Sequence, residues 1–470
     1  MLPTPTNVRS RYTKQYKEKG MANLERAIHD SALKFKNLPT RAKFLFGSSL
    51  VVSVLFYGFI IRSFFKNDLM DEHFLETDKC PACYGMSACG QFFYDRVKFT
   101  GWSKLRFLDR VNIKNVHFAD HQALNSVVIK KLSHDSEIQA IDDKICSDGN
   151  RPAGCDIARV IYITNTAQTL KKGPIQPETL KGEASMFTCG SYRLLDRLWH
   201  YYKERLKKKE IFFRDKIQLW YISMVNTEPL MLQTFPASEG WPFPEYYGAC
   251  GRFMMVEDTG RPLGDFYHAS FEKRADIAYQ IMKIADKMTN NEEQFALYWT
   301  DLTYENLSVD AAGKVKVIDL ENIIVVDLMA IAATKPKGWD EFLESPFDEC
   351  GGKNCLGFST AKLCSHVNSD HNYYAACRNI LSQYANEDGK PGGLLHDMPD
   401  HARDYWDLEH LLNECARPQT VHGRIKVKDK LISAFENLMS DPNVDVNVLD
   451  EAMEDKHENR FFKKAGKDEE

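Results

Sequence analysis

Three polar side chains, two of them acidic, are the clearest candidates for chemistry in this sequence. Asp301 and Asn306 lie five residues apart in one polar stretch, and Asp319 follows the apolar run Lys314–Ile318, which predicts a strand. In phosphoryl transfer one carboxylate orients the attacking hydroxyl, while an amide and a second carboxylate hold Mg²⁺ against the nucleotide phosphates. The segment therefore predicts a metal-dependent site for transfer from a nucleotide.

A lysine at the end of an earlier apolar run could complete this set. Lys130 ends the run Val127–Lys130, where its ammonium group could pair with the α- and β-phosphates of a nucleotide. In the alternative, structural interpretation, Asp301 and Asn306 are surface residues of a β-turn, and Asp319 is simply the residue at the end of a strand. The joint order and spacing of the four residues favour the chemical interpretation.

The uncharged run of residues 44–61 has the composition of a membrane-spanning helix. Its 18 residues are near the lower limit for crossing a bilayer. Residues 1–43 contain ten Lys or Arg and three Asp or Glu, so the positive-inside rule places the N-terminus in the cytosol and the rest in the lumen. A cleaved signal peptide and a buried core helix are the alternatives. The long basic tail and the lack of a small-x-small cleavage site favour a type II signal anchor.

All 12 cysteines follow this run, and none lies in the proposed cytosolic tail. An even number in this position is typical of an oxidising lumen and predicts up to six disulfides, whose pairing the spacing leaves open. Cys80 and Cys83 form a CxxC pair that could instead begin a zinc site or act as a redox pair. No second CxxC or histidine pair completes a zinc site, which favours disulfides.

Composition and apolar patterning bound the architecture. Hydrophobic residues make up 43% of the chain and charged residues 27%, which excludes global disorder. The net charge of −5 gives no basic excess for nucleic acid, so none is expected as a partner. The predicted divisions are a basic cytosolic tail (1–43), the anchor (44–61), a stalk with a Cys-rich segment (62–93), a first lobe (94–258), a second lobe (259–450) and a charged tail (451–470).

Periodicity predicts a β-rich first part and a helical second part. The sequence therefore predicts an α+β protein of two lobes after the N-terminal anchor, with a cysteine-containing insertion at about 145–225. The predicted strands are 126–132, Glu228–Phe235, Arg252–Glu257 and a strand–turn–strand unit over 307–318; the predicted helices are 133–146, 190–209 and 271–288.

The three short motifs resemble the protein-kinase signature set. WTDLTYEN stands for HRDxxxxN, DLE for DFG and VVIK for the VAIK of strand β3. The stretches KCPACYG, RLLDRL, DHNYYA and GGLLHD further resemble the divergent protein kinase domain 2 family, also called the deleted-in-autism family. The likeness extends from about residue 67 to about 430. It implies a two-lobed kinase-like fold and a Golgi or secreted location.

The resemblance assigns roles to individual residues. Lys130 matches the phosphate-binding lysine and Asp301 the catalytic aspartate, while Asn306 and Asp319 match the metal ligands. ATP with Mg²⁺ or Mn²⁺ is the implied cofactor set.

Further nucleotide contacts are implied around the link between the lobes. The segment Met255–Asp258, which includes Glu257, matches the hinge that lies against adenine. Glu137 is the nearest candidate for the acidic partner of Lys130, and an exposed helix charge is the alternative interpretation of Glu137.

The chain also departs from the kinase pattern. No G-x-G-x-x-G precedes Lys130, and Gly101 is the only glycine of residues 94–130; no Ala-Pro-Glu motif follows. Thr300 replaces the arginine before the catalytic aspartate, and Thr303 stands where many kinases carry a lysine. Leu320-Glu321 replaces Phe-Gly, which adds a carboxylate beside the metal site.

Two functions follow from these matches and departures. The complete set of four site residues predicts a divergent protein kinase that transfers phosphate to secretory-pathway proteins. The departures favour the alternative, a catalytically inactive Golgi or secreted factor that acts on a receptor or another binding partner. In either case the expected location is the Golgi or ER membrane with a lumenal domain, or secretion after cleavage of the anchor.

Overall fold

The computed structural model divides into two units, of which the first contains a single described helix. The predicted charged tail and most of the predicted basic tail lie outside the described residues. The structure describes residues 39–65, 67–104, 116–180, 185–347, 355–387, 389–405 and 407–440.

Helix α1 (Thr40–Phe65) of the first unit contains the uncharged run of residues 44–61. The run is therefore helical. Within the described ranges, no helix is both long enough and apolar enough to cross a membrane. The predicted membrane anchor thus gains no support from the structure.

The first lobe of the second unit is built on an antiparallel sheet with the strand order β1-β2-β3-β5-β4. The strands predicted at 126–132 and Arg252–Glu257 are confirmed as β3 and β5. The strand bounds are β1 (Val97–Phe99), β2 (Val116–His121), β3 (Asn125–Lys130), β4 (Tyr246–Cys250) and β5 (Phe253–Glu257).

Strand alternation decides which side chains of this sheet face the second lobe. Val127, Ile129 and Met255 pack in a small apolar cluster on the outer face. Val128 belongs to the main core on the opposite face. Lys130 is two residues further along β3, so it points to the same side as Val128, toward the second lobe.

Helices surround this sheet and fill a long insertion after β3. The helices predicted at 133–146 and 190–209 are confirmed as α4 and α8. The bounds are α2 (Glu72–Leu75), α3 (Cys89–Phe93), α4 (Asp135–Asp148), α5 (Ile157–Val160), α6 (Asn165–Lys172), α7 (Pro177–Leu180), α8 (Tyr192–Leu206), α9 (Phe213–Val225) and α10 (Glu228–Thr234).

The prediction of a strand at Glu228–Phe235 is wrong, because this segment forms helix α10. Nearly all of its side chains are buried, so no exposed polar face marks a period that would separate a helix from a strand. Pro229, in the first turn, is the residue that indicates a helix start.

The second lobe is mainly helical, with short strands that carry the loops of interest. Helix α11 begins where the Ser270 hydroxyl accepts the N–H of Lys273, which confirms the predicted helix 271–288. Helix α14 continues into a π-helical turn at Cys377–Leu381. The helices are α11 (Phe271–Thr289), α12 (Leu328–Thr334), α13 (Thr360–Leu363), α14 (His371–Ala376), α15 (Leu408–Ala416) and α16 (Gly423–Met439).

Two antiparallel pairs, β7 with β10 and β8 with β9, bring the loops 300–306 and 318–322 to one place. A third strand, β6, joins the β8–β9 pair. The strands are β6 (Arg261–Pro262), β7 (Phe295–Trp299), β8 (Leu307–Val309), β9 (Val315–Val317), β10 (Ile323–Asp327), β11 (Phe342–Leu343), β12 (Asn368–Ser369), β13 (Asn386–Glu387) and β14 (Lys390–Pro391).

The cysteines of the described ranges are all disulfide-bonded, which confirms the disulfide prediction. The zinc alternative is wrong, because the two sulfurs of the CxxC pair bond to each other. Cys355 is also disulfide-bonded. The pairs are Cys80–Cys83, Cys89–Cys250, Cys146–Cys155, Cys189–Cys364 and Cys377–Cys415.

A buried arginine joins the Cys-rich segment, α4 and β5. Arg252 donates two hydrogen bonds to the carboxylate of Asp142, at 2.7 and 2.8 Å. It also contacts Glu76 at 3.2 Å and donates to the carbonyl of Ala82 at 3.1 Å. Its side chain is only 3% exposed, so each of these partners replaces water that the guanidinium lost on folding.

We expect Arg252→Met to lower the free energy of unfolding by about 3–5 kcal/mol, because the buried carboxylate of Asp142 would lose its cation. The change is measured by urea denaturation of the folded second unit. Arg159→Ala is the control: Arg159 makes an exposed ion pair with Asp156, and its loss should change stability by less than about 1 kcal/mol. Equal effects of the two changes would contradict the assignment.

Candidate active site

Lys130 lines the cleft between the lobes. Its Nζ is 2.7 Å from Oε1 of Glu228 and donates to the carbonyl of Ile318 at 2.7 Å. Ile318 immediately precedes Asp319 in the second lobe. The lysine therefore links β3 to α10 and to the segment that carries the predicted metal ligand.

The acidic partner of Lys130 is Glu228, so the prediction of Glu137 was wrong. Glu137 lies near the N-terminus of α4, where its carboxylate accepts the N–H of His134 at 2.8 Å. The reason for the error is the insertion: the helix that carries the partner follows the insertion instead of following β3 directly. The pair Lys130–Glu228 is almost buried, with side chains 14% and 3% exposed.

Negative charge is concentrated around this lysine. Burial raises the pKa of Glu228 to about 7, against the opposing charge of Lys130. Burial also raises the pKa of Glu321 to about 7, and the next largest cause is the charge of Asp319. For Asp301, partial burial and then Asp319 raise the pKa above its ordinary range. A cation with hard-ligand preference would relieve this repulsion.

Helix α14 fixes the start of the loop that carries Asp301. Nε2 of His371 is 2.6 Å from the carbonyl of Trp299, and Oδ1 of Asn372 accepts the N–H of Trp299 at 3.0 Å. Further along, Asn379 donates to the carbonyl of Leu302 at 3.0 Å. Side chains of one helix and its π-helical continuation therefore hold the backbone on both sides of Asp301.

Asn306 and Asp319 are brought together by the backbone. The N–H of Ile318 donates to the carbonyl of Asn306 at 3.0 Å. Asp319 is the next residue after Ile318, so this hydrogen bond holds the start of its segment against the Asn306 backbone. The Asn306 side chain is buried; its Oδ1 accepts from Thr303 at 3.1 Å and its Nδ2 donates to the carbonyl of Asp301 at 3.3 Å. This bonding orients the amide and leaves Oδ1 one further lone pair.

The side chains of Asn306 and Asp319 suit a Mg²⁺ or Mn²⁺ ion whose remaining ligands would be phosphate oxygens. A carboxylate and an amide oxygen are hard ligands, and Mg²⁺ in such sites keeps phosphate and water ligands beside one or two protein groups. Within the ranges described, no three Asp, Glu, His or Cys side chains lie close enough together to hold a metal by themselves.

The cleft has a volume of about 1120 Å³ and is lined from both lobes. Lys130, Asn306 and Asp319 are among its lining residues, and so are Glu137, Glu228 and Glu321. Val128 and Val256 provide apolar surface from the sheet.

Of the two residues predicted to contact the nucleotide from the hinge, Glu257 lines the cleft and Met255 does not. Glu257 lines the cleft, but its carboxylate is held by Lys316 of β9 at 2.5 and 2.6 Å. The side chain of Met255 is 1% exposed and packs on the outer face of the sheet. A contact between that side chain and a base in the cleft is therefore excluded, because the alternation of β5 turns it away.

Sequence reasoning missed Glu228, Lys316 and Asn226. Asn226 contacts the carboxylate of Glu321 and donates to the carbonyl of Leu132 at 3.1 Å. Each of these contacts joins segments far apart in the chain. For Glu228 one signal was available, the sequence Glu-Pro at the start of an apolar run, which indicates a helix N-terminus.

Burial makes His371 a sensor of pH for the fold around Asp301. Burial lowers the pKa of His371 to about 4, so the folded protein keeps the imidazole neutral while the unfolded chain protonates it near pH 6.5. Its contribution to stability is complete above about pH 6.5 and is lost as the pH falls toward 4.

We expect the melting temperature of His371→Gln to be lower than that of the wild type at pH 7.5 but to fall less between pH 6.5 and 4.5. His200→Gln, at a side chain 61% exposed, should keep the wild-type pH dependence. Parallel pH curves for all three proteins would contradict this role.

Comparison with known proteins identifies the family of this chain. A family model described as "Protein-kinase domain of FAM69" matches residues 219–418, a span that contains Glu228, Asp301 and Asp319 but not Lys130. The chain is 41% identical over 415 residues to divergent protein kinase domain 2A of Xenopus tropicalis, covering 85% of this chain and 96% of that protein. It is 40% identical over 399 residues to the human protein of that name, covering 82% and 92%. It is 33% identical over 265 residues to human divergent protein kinase domain 2B, covering 54% and 61%. The chain therefore belongs to the divergent protein kinase domain 2 family.

Proposed function

We propose that this protein binds ATP with a divalent cation in the cleft between its lobes and transfers the γ-phosphoryl group to a hydroxyl group of a secretory-pathway protein. The observation that carries the proposal is the bonding of Lys130, which pairs with Glu228 in one lobe and reaches the Ile318 carbonyl of the other. A lysine held in this way lies beside Asp319, where nucleotide phosphates and their metal would meet.

Each site residue then has a distinct role. Lys130 neutralises phosphate charge, and Asn306 with Asp319 holds the metal, which would neutralise the charge that develops on the transferred group. Asp301 is exposed on its loop, so it can orient the hydroxyl of an acceptor. Val128 and Val256 offer the apolar surface on which a base can pack.

The disulfides support a location in the secretory pathway. Bonds that join residues as far apart as Cys89 and Cys250 form and persist in oxidising compartments. The proposed location is the lumen of the Golgi or ER, or the extracellular space after release, and the proposed acceptors are proteins of that pathway.

One contact favours a second function, that of an inactive signalling or binding factor. Glu321 takes the position of the DFG glycine, and its carboxylate is bound to Asn226. The carboxylate of Glu321 adds negative charge beside Asp319, where nucleotide phosphates would have to bind. A receptor or another secreted protein would then be the partner.

Two substitutions separate these roles. We expect Asp319→Ala to abolish the increase in melting temperature that ATP with Mg²⁺ or Mn²⁺ produces, because the phosphate charges would lose their counter-ion. Asp301→Asn should keep this increase and abolish phosphate transfer, measured with radiolabelled ATP and secreted acceptor proteins. Full transfer by Asp301→Asn would refute its role, and a wild-type protein without any ATP-dependent shift would favour the inactive factor.

The two candidate partners of Lys130 are distinguished by a matched pair of substitutions. We expect Glu228→Gln to lower the rate of transfer at least about thirtyfold, because the lysine would lose a buried counter-charge that holds it. Glu137→Gln, which alters the contact at the α4 N-terminus, should change the rate less than threefold. A larger loss of transfer rate in Glu137→Gln than in Glu228→Gln would instead favour Glu137 as the acidic partner of Lys130.

A further inference from the structure

Asn226 stands where the long insertion returns to the cleft. Its backbone N–H ends helix α9 by donating to the carbonyl of Ile222 at 3.0 Å, which is an ordinary role at a helix end. The side chain has no part in that role. It is 96% buried and directs its carboxamide at three different segments.

Every hydrogen-bonding group of this carboxamide is used. Oδ1 accepts the N–H of Glu228 at 2.8 Å, at the start of α10. Nδ2 donates to the carbonyl of Leu132 at 3.1 Å and to the carboxylate of Glu321. An amide nitrogen has two N–H donors, so both are assigned, and no other side chain of similar size could replace all three bonds.

The residues that provide the three partners all line the cleft. Glu228 holds Lys130 at 2.7 Å. Leu132 follows that lysine by two residues, at the point where the insertion leaves the sheet. Glu321 follows the predicted metal ligand Asp319 by two residues. One amide therefore joins the exit of the insertion, its return and the metal-binding segment.

We infer that Asn226 is a positioning residue for the cleft: it holds Glu228 and the segment after Asp319 in the arrangement that accepts ATP and a divalent cation, and it connects both to the insertion. The inference rests on the proposed function, since it names a further residue of the same site. Asn226 does not contact the nucleotide; it acts through Glu228 and Glu321.

An exchange of donor and acceptor tests the inference. Asn226→Asp keeps the acceptor for the N–H of Glu228 but removes both donors and places a second carboxylate against Glu321. We expect the dissociation constant of ATP with Mg²⁺ to rise about tenfold. Adding Glu321→Gln returns a donor to the pair from the other side, so the double variant should recover most of this affinity. Glu321→Gln alone completes the cycle.

Asn291→Asp is the matched control. Asn291 is a partly buried asparagine that donates to the carbonyls of Lys287 and Phe295, at 3.1 and 2.7 Å, in the turn after α11. Its substitution should lower the melting temperature and leave the affinity for ATP with Mg²⁺ unchanged. A role of Asn226 in stability alone would give the same result for both residues, and that outcome would overturn the inference.

A second measurement separates this inference from the proposed function. If the wild type does not bind ATP with Mg²⁺, the proposed function fails. Hydrogen exchange of the nucleotide-free protein then decides the inference: Asn226→Asp should accelerate exchange in both α10 and residues 318–323, and Glu321→Gln should reverse the change. Exchange that is unaltered in these segments, or that the second substitution does not reverse, would refute it.

Discussion

The arrangement of the cleft depends on the need to neutralise one nearly buried ammonium group. Lys130 is turned toward the second lobe by the alternation of β3, and a lysine so enclosed is stable as a cation only with an anionic partner and further acceptors. Glu228 supplies the charge and Ile318 the carbonyl. The sheet, the helix after the insertion and the end of β9 must therefore be in place together.

Strand β9 shows how the segment that carries Asp319 is fixed. Lys316 in this strand is bound by Glu257 of the first lobe, and the carbonyl of Ile318 is bound by Lys130 of the same lobe. The N–H of Ile318 donates to Asn306 of the neighbouring loop. Asp319 follows directly on these three contacts. The backbone next to Asp319 is thus held from both lobes.

The parts of the site that depend on local order were predictable from the sequence, and those that depend on long-range pairing were not. Asp301, Asn306 and Asp319 lie within two short loops that the strand pairs β7–β10 and β8–β9 bring together, and Asn306 and Asp319 line the cleft. Glu228 pairs with a lysine 98 residues earlier, and its helix is buried on all sides, so neither distance nor periodicity identified it. The sequence predicts a contact between Met255 and the nucleotide because Met255 lies in the hinge segment. The two-residue alternation of β5 instead places its side chain on the outer face of the sheet.

The order of the strands also has a consequence for biosynthesis. The sheet of the first lobe pairs β3, which ends at Lys130, with β5, which begins at Phe253, and β4 and β5 emerge from the ribosome only after the whole insertion. At translation rates of 5–20 residues per second this delay amounts to roughly 6–24 s. During that interval β3 is paired with β2 alone and its other edge is open, and Cys89 waits for Cys250. The Cys146–Cys155 disulfide and the contacts among the insertion's own helices need no later segment and can form in this interval, whereas Arg193 and Cys189 still wait for Asp327 and Cys364. A chaperone or a disulfide isomerase would therefore have access to the open edge of β3 and to the thiols whose partners have not yet been synthesised.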